Sequence, residues 1–199
     1  MHDSFHRMDR CRAGGFSLVE VMITLFIAAT FITMAVPAFQ EVIEDTRATS
    51  QINTVSAALN LARSEANKRG DAVSICKTDD QSSCGDDTVS WAEGYVLFLN
   101  KDRDDPPEID ADEEIIRYFP ALPGTSTLEG DWGGFAEGVT FLPDGSVTET
   151  GVFVVCQNWD PHTAKGVLVS LVGRIRTARD SNGDGYLEDS SGNVMSCWP

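Results

Sequence analysis

Asp180, Asn182 and Asp184 alternate along the chain, and Gly185 follows directly. Oxygen ligands at the first, third and fifth positions, with a glycine at the sixth to turn the chain, are what a calcium-binding loop needs. Tyr186 would offer its carbonyl at the seventh position and Glu188 a side chain at the ninth. The twelfth position, where that loop wants a bidentate glutamate, is Ser191, and no helix pair flanks the segment. An ordinary acidic turn is the alternative reading. Just upstream, Arg174, Arg176 and Arg179 make a short basic stripe in which the first two arginines would share one face of a strand. Such a stripe could contact phosphates. Pairing with the nearby Asp180, Asp184, Glu188 and Asp189 is the expectation favoured over nucleic acid. A second acidic loop at 101–105 mixes Lys101 and Arg103 with its aspartates and is a poorer cation site. Catalysis finds no machinery. Downstream of residue 15 there is one histidine, His162, and no glycine-rich phosphate loop or serine elbow appears.

Glu20 is the other isolated reactive group. It is the single charge within an apolar run over residues 16–36, whose twenty-one residues make roughly 31 Å of helix, enough for a bilayer core. A carboxylate left in hydrocarbon costs about 2.5–3.5 kcal/mol, so a partner for it is expected. Arg7, Arg10 and Arg12 outnumber Asp3 and Asp9 before the run, which keeps that flank cytoplasmic and sends the C-terminus across the membrane. The small residues Gly14 and Gly15 precede the apolar run, whereas an ordinary secretory signal places its small-residue cleavage site after it.

The elements that must carry these groups are a long helix and a set of short strands. Phe39, Ile43, Ile52, Val55, Leu59, Ala62 and Ala66 fall mostly at three- and four-residue steps. Lys68 and Arg69 suit a last helical turn and Gly70 a C-cap, so one helix is expected over about 16–69. Beyond it, β-branched and aromatic runs at 72–76, 94–99, 114–119, 139–142, 152–156 and 166–172 read as strands, with Pro143-Asp144-Gly145 as a hairpin turn. An α+β fold follows, antiparallel strands packed on the C-terminal half of the helix, in one globular domain over 70–199.

Gly15-Phe16-Ser17-Leu18-Val19-Glu20 resembles the leader junction of type IV prepilins. Ala62-Arg63-Ser64-Glu65-Ala66, Val73-Ser74-Ile75-Cys76, Trp91 with Gly94-Tyr95-Val96-Leu97-Phe98, Glu114-Ile115-Ile116-Arg117, Pro143-Asp144-Gly145 and Gly173-Arg174-Ile175-Arg176 follow in the order of GspH/FimT-type minor pilins and pseudopilins. The resemblance implies a type IV pilin-like fold and removal of residues 1–15 by a prepilin peptidase cutting between Gly15 and Phe16, with methylation of Phe16. It implies that Glu20 pairs with the freed amine of a neighbouring subunit, and that other pilins and an inner-membrane assembly platform are the partners. A structural subunit near the tip of a type IV pilus or type II secretion pseudopilus is expected, single-pass in the inner membrane with its domain periplasmic. Some FimT-type pilins use a Gly-Arg-x-Arg element to hold DNA, the alternative role. No cofactor beyond calcium is expected.

Loss of that leader changes two counts. The formal charge of -16 becomes -17 once three arginines and two aspartates leave, a surface repelling nucleic acid overall. Cys11 also leaves, so Cys76, Cys84, Cys156 and Cys197 remain, an even number that reads as two disulfides in an exported domain. Three connectivities are open, with Cys76–Cys84 and Cys156–Cys197 favoured.

Overall fold

The computed structural model describes residues 15–130, 134–189, 191–195 and 197, the side chains of Met34, Pro37 and Ala38 also lying outside it. Residues 1–14 of the expected leader, with Cys11, are outside the described residues. The chain divides into two compact units, residues 1–42 and 43–199, and helix α1 (Leu18–Arg69) contributes to both.

In the first unit α1 starts at a serine. The Ser17 hydroxyl accepts the Glu20 N–H at 3.2 Å and the Ser17 carbonyl accepts the Val21 N–H at 3.2 Å, satisfying donors that the first turn leaves open. Thr24, Thr30 and Thr33 turn their hydroxyls back to the carbonyls of Val21, Phe26 and Thr30, so they present no unmet donor on this apolar surface. Among the described residues no helix is long and apolar enough to cross a membrane.

In the second unit the same helix buries a stripe of small and branched residues: Ala48, Ile52, Val55, Ala58, Leu59, Ala62 and Ala66 are each at most 4 % exposed. Phe39 and Ile43, expected on that stripe, are exposed instead, because the buried stripe begins only at Ala48. The helix ends where Gly70 adopts φ +72° and its N–H returns to the Ala66 carbonyl, a conformation glycine enters without a Cβ penalty. Arg69 in the last turn reaches Glu65 at 2.7 Å and Glu114 at 2.9 Å.

Two antiparallel four-stranded sheets complete the unit. The first joins β1 (Val73–Lys77), β2 (Gly94–Leu99), β3 (Ile115–Pro120) and β5 (Gly138–Phe141) in the order β3-β2-β1-β5. The second joins β4 (Ser126–Gly130), β6 (Gly151–Gln157), β7 (Asp160–Val169) and β8 (Ile175–Thr177) in the order β4-β6-β7-β8. Val73, Ile75 and Leu97 of the first sheet share one core with Leu128, Phe153, Val155 and Val167 of the second and with the helix stripe. A ring of buried amides ties helix to sheet: Gln51 Nε2 donates to Ser126 Oγ at 2.7 Å, Ser126 Oγ lies 3.0 Å from Gln157 Oε1, and Gln157 Nε2 donates to Gln51 Oε1 at 2.8 Å.

Strand β4 and the first half of β7 were not expected. Ser126-Thr127-Leu128-Glu129-Gly130 has little β-propensity and lies at a sheet edge, where pairing with β6 makes it a strand. β7 starts at Asp160 because Asn158 and Trp159 both take positive φ, 53° and 61°, between the paired Gln157 and Asp160. Two left-handed residues make the tight turn that suits hairpin twist, and tryptophan is a poor sequence signal for it.

Candidate functional site

The residue groups singled out above fall into four places, three in the second unit and one in the first, and the structure treats them differently. The first is a joint in the second unit. A Cβ on Gly173 (φ +69°) would sit 1.8 Å from the Gly145 carbonyl oxygen, and one on Gly145 (φ +80°) would sit 3.0 Å from Arg63 Nε. Arg63 donates to the Val172 carbonyl at 3.2 Å. Pro143-Asp144-Gly145 forms the expected turn, with Gly145 N–H bonded to the Leu142 carbonyl and Asp144 Oδ1 accepting the Ser146 N–H. Arg63, Gly145 and Gly173 thus meet at one point, and these motif words hold the fold together.

The second place is an open groove of about 720 Å³ beside β8. Arg174, Arg176 and Arg179 line it together with Ser181, Glu188 and Asp189. All three arginines are exposed. Among the described residues none forms an ion pair, contrary to the internal pairing expected for them.

The acidic segment of residues 180–188 makes the third place. Asp180 accepts the N–H of Gly183 at 2.6 Å and of Gly185 at 2.9 Å. These bonds, the one from Gly185 foremost, hold its carboxyl below the usual range. Asn182 Oδ1 accepts the Asp184 N–H at 2.8 Å, and Asp184 Oδ1 the Tyr186 N–H at 2.9 Å. Ser181, which the sequence pattern did not single out, binds Glu188 Oε2 through its N–H at 2.7 Å and hydroxyl at 2.9 Å. Glu188 also pairs by backbone with Arg179 and with Val194, so β-bridges frame this loop where an EF-hand has helices. His162 packs on Tyr186 with ring centroids 4.7 Å apart. The C-terminal tail beyond it is fastened by the Cys156–Cys197 disulfide, while Cys76–Cys84 closes a loop off β1.

In the first unit, Glu20 is exposed, and among the described residues its carboxylate has no partner, only its N–H being bound by Ser17. Gly15 is exposed too, and among the described residues a Cβ there would meet nothing within 4 Å.

A long helix entered through an apolar segment with one carboxylate, followed by antiparallel sheets, is the build of a type IV filament subunit. The prokaryotic N-terminal methylation motif matches residues 10–36, as in membrane-anchored pilins. The family described as Type II transport protein GspH matches residues 51–173, and the chain belongs to it. It is therefore a minor pilin or pseudopilin, a class that assembles with other pilins into filaments. Among solved structures, the type IV minor pilin FimU of Pseudomonas aeruginosa is similar in two crystal forms. The first superposes with a TM-score of 0.54 at 22 % identity, covering 77 % of this chain and 96 % of FimU. The second gives 0.51 at 23 %, covering 75 % and 99 %. These show the fold. The minor pseudopilin EpsH from the Type 2 Secretion System of Vibrio cholerae has a TM-score of 0.46 at 15 % identity, covering 66 % and 95 %. No curated protein matches the chain in sequence.

Proposed function

We propose that this chain is a structural, low-copy subunit at or near the tip of a type IV pilus or a type II secretion pseudopilus. A prepilin peptidase removes residues 1–15 by cutting between Gly15 and Phe16, and Phe16 is then methylated. Residues 16–36 anchor the chain in the bacterial inner membrane through a single pass, with the N-terminus cytoplasmic and the domain of residues 70–199 periplasmic. The observation that carries this reading is Glu20: a carboxylate without a partner among the described residues, on a helix segment whose other large side chains are apolar and exposed. The freed amine of a neighbouring subunit would supply the opposite charge that such an acid requires in hydrocarbon. Gly15 is consistent with the cut, since among the described residues nothing lies within 4 Å of where its Cβ would be. Glu20→Ala should be processed normally and be absent from sheared filaments. Wild-type incorporation would remove the assembly role. Gly15→Ala should retain the leader, read as a mass difference of residues 1–15.

A second reading, a DNA receptor, has the three exposed arginines behind it. Glu188 and Asp189 on the same groove and the formal charge of -16 weigh against it. A gel shift at low salt decides: a shifted band lost in Arg174→Gln/Arg176→Gln establishes DNA binding, and no shift ends it.

A further inference from the structure

The loop of residues 180–188 takes no part in anchoring or assembly as proposed above, and what it does stands apart from that reading. Gly183 and Gly185 hold φ +83° and +91°, curling the chain so that one carboxylate oxygen each from Asp180, Asp184 and Glu188 lies within 4.8 Å of the others. Two oxygens that share a calcium ion at 2.3–2.6 Å lie at most about 5 Å apart, so the three fit one coordination shell.

An exposed acidic turn would need no explanation, but Glu188 is not exposed. Its side chain is buried, with 4 % of the residue accessible. Ser181 satisfies Oε2, whereas Oε1 is enclosed and has no hydrogen-bond partner among the described residues. A buried acceptor without a donor is costly, and two more carboxylates alongside add like-charge repulsion. The arginines that line the same groove do not relieve it, since Arg174, Arg176 and Arg179 make no ion pair among the described residues. One divalent cation answers all of these demands together.

We propose that Asp180, Asp184 and Glu188 bind a calcium ion, with Asn182 and the Tyr186 carbonyl as further oxygen ligands. Glu188, at the ninth position, supplies directly the buried carboxylate that an EF-hand draws from its twelfth, which explains how Ser191 is tolerated there. The all-oxygen set selects a hard cation. Calcium accepts this flexible shell of single loop residues, whereas magnesium demands near-ideal octahedral geometry and sheds water reluctantly. The ion would lock the segment between β8 and the Cys156–Cys197 disulfide.

Full-length protein in detergent micelles, stripped with EDTA and exchanged into chelator-free buffer, is titrated with calcium chloride by calorimetry. One saturable site is expected, at or tighter than the roughly 10⁻⁴–10⁻³ M range of extracellular calcium modules. Asp184→Asn and Glu188→Gln should each weaken it at least tenfold, Asp102→Asn in the other acidic loop should leave it unchanged, and magnesium should not compete. Should Glu188→Gln fail to fold, Asp184→Asn, at an exposed position, decides alone. Absence of saturation at about ten times the weak end of that range overturns the proposal, as does undiminished binding by Asp184→Asn.

Discussion

Helix α1 is one element serving two kinds of surface. Before Val42 its described large apolar side chains are exposed: Leu18, Phe26 and Phe31 are between 70 % and 76 % exposed. Past Ile43 the helix turns amphipathic, burying Ala48, Ile52, Val55, Leu59, Ala62 and Ala66, while none of its charged residues is fully buried. Both stretches are α-helical. A helix apolar all round needs an apolar environment outside its own chain, whereas a helix with one apolar stripe completes itself against its own sheets. In the reading proposed above the first stretch meets the membrane and neighbouring subunits, while the second is buried in its own unit's core.

That division can be tested by matched truncations. Leu59→Ala should destabilise the protein by about 4 kcal/mol, because the buried leucine leaves a cavity, while Leu25→Ala, 65 % exposed, should change unfolding by less than about 0.5 kcal/mol. Denaturant unfolding in detergent measures both, and equal losses would break the comparison. A smaller loss, roughly 2.5 kcal/mol from the chain-entropy model, is expected for Cys76→Ser/Cys84→Ser, whose bond spans a separation of 8 residues. An unchanged denaturation midpoint would show that the loop needs no staple. Gly173→Ala should cost about 2 kcal/mol, since its Cβ meets the Gly145 carbonyl and its φ is positive. Gly15→Ala, in open space, should cost nothing measurable in the same assay.

The smallest effect is acid sensitivity of the second unit. Asp80 is held below its ordinary value first by the Ser82 N–H, Asp144 by the Ser146 hydroxyl, and Glu65 by the Arg69 guanidinium. A depressed folded value gives stability that is present above the unfolded value, ~3.9–4.3, and is lost as pH falls through the folded one. Asp104 runs the other way. Burial raises its carboxyl, so its contribution is complete at low pH and fades as pH rises through its folded value. The melting temperature should hold from neutrality to about pH 5 and decline below ~4. A flat profile to pH 2 would show that the depressed carboxylates contribute nothing.

Much of this architecture is legible in the chain because its signals are local. Apolar steps of three and four mark the buried stripe, Gly70 marks the helix end, and Pro143-Asp144-Gly145 marks its turn. Phe39 and Ile43 mislead, since periodicity says which face is apolar and not how far the covering sheets extend. Strand β4 and the start of β7 are hidden for a related reason. Ser126 and Thr127 become strand by pairing with Gln157 and Cys156, residues far away in sequence.

For the site residues the boundary runs through single side chains. The sequence alone marked Glu20 as the one charge in its apolar run, because hydropathy is a property of the run itself. It likewise supplied Asp180, Asn182, Asp184 and Glu188 as oxygen donors at useful spacings. Only the tertiary structure decided that, among the described residues, Glu188 is buried with Oε1 lacking a partner and that Arg174, Arg176 and Arg179 form no ion pair. It also brought Arg63, Gly145 and Gly173 together and closed the ring of Gln51, Ser126 and Gln157. Spacing fixes which side chains leave one element on the same face. Which of them meet across more than seventy intervening residues is set by how helix and sheets pack.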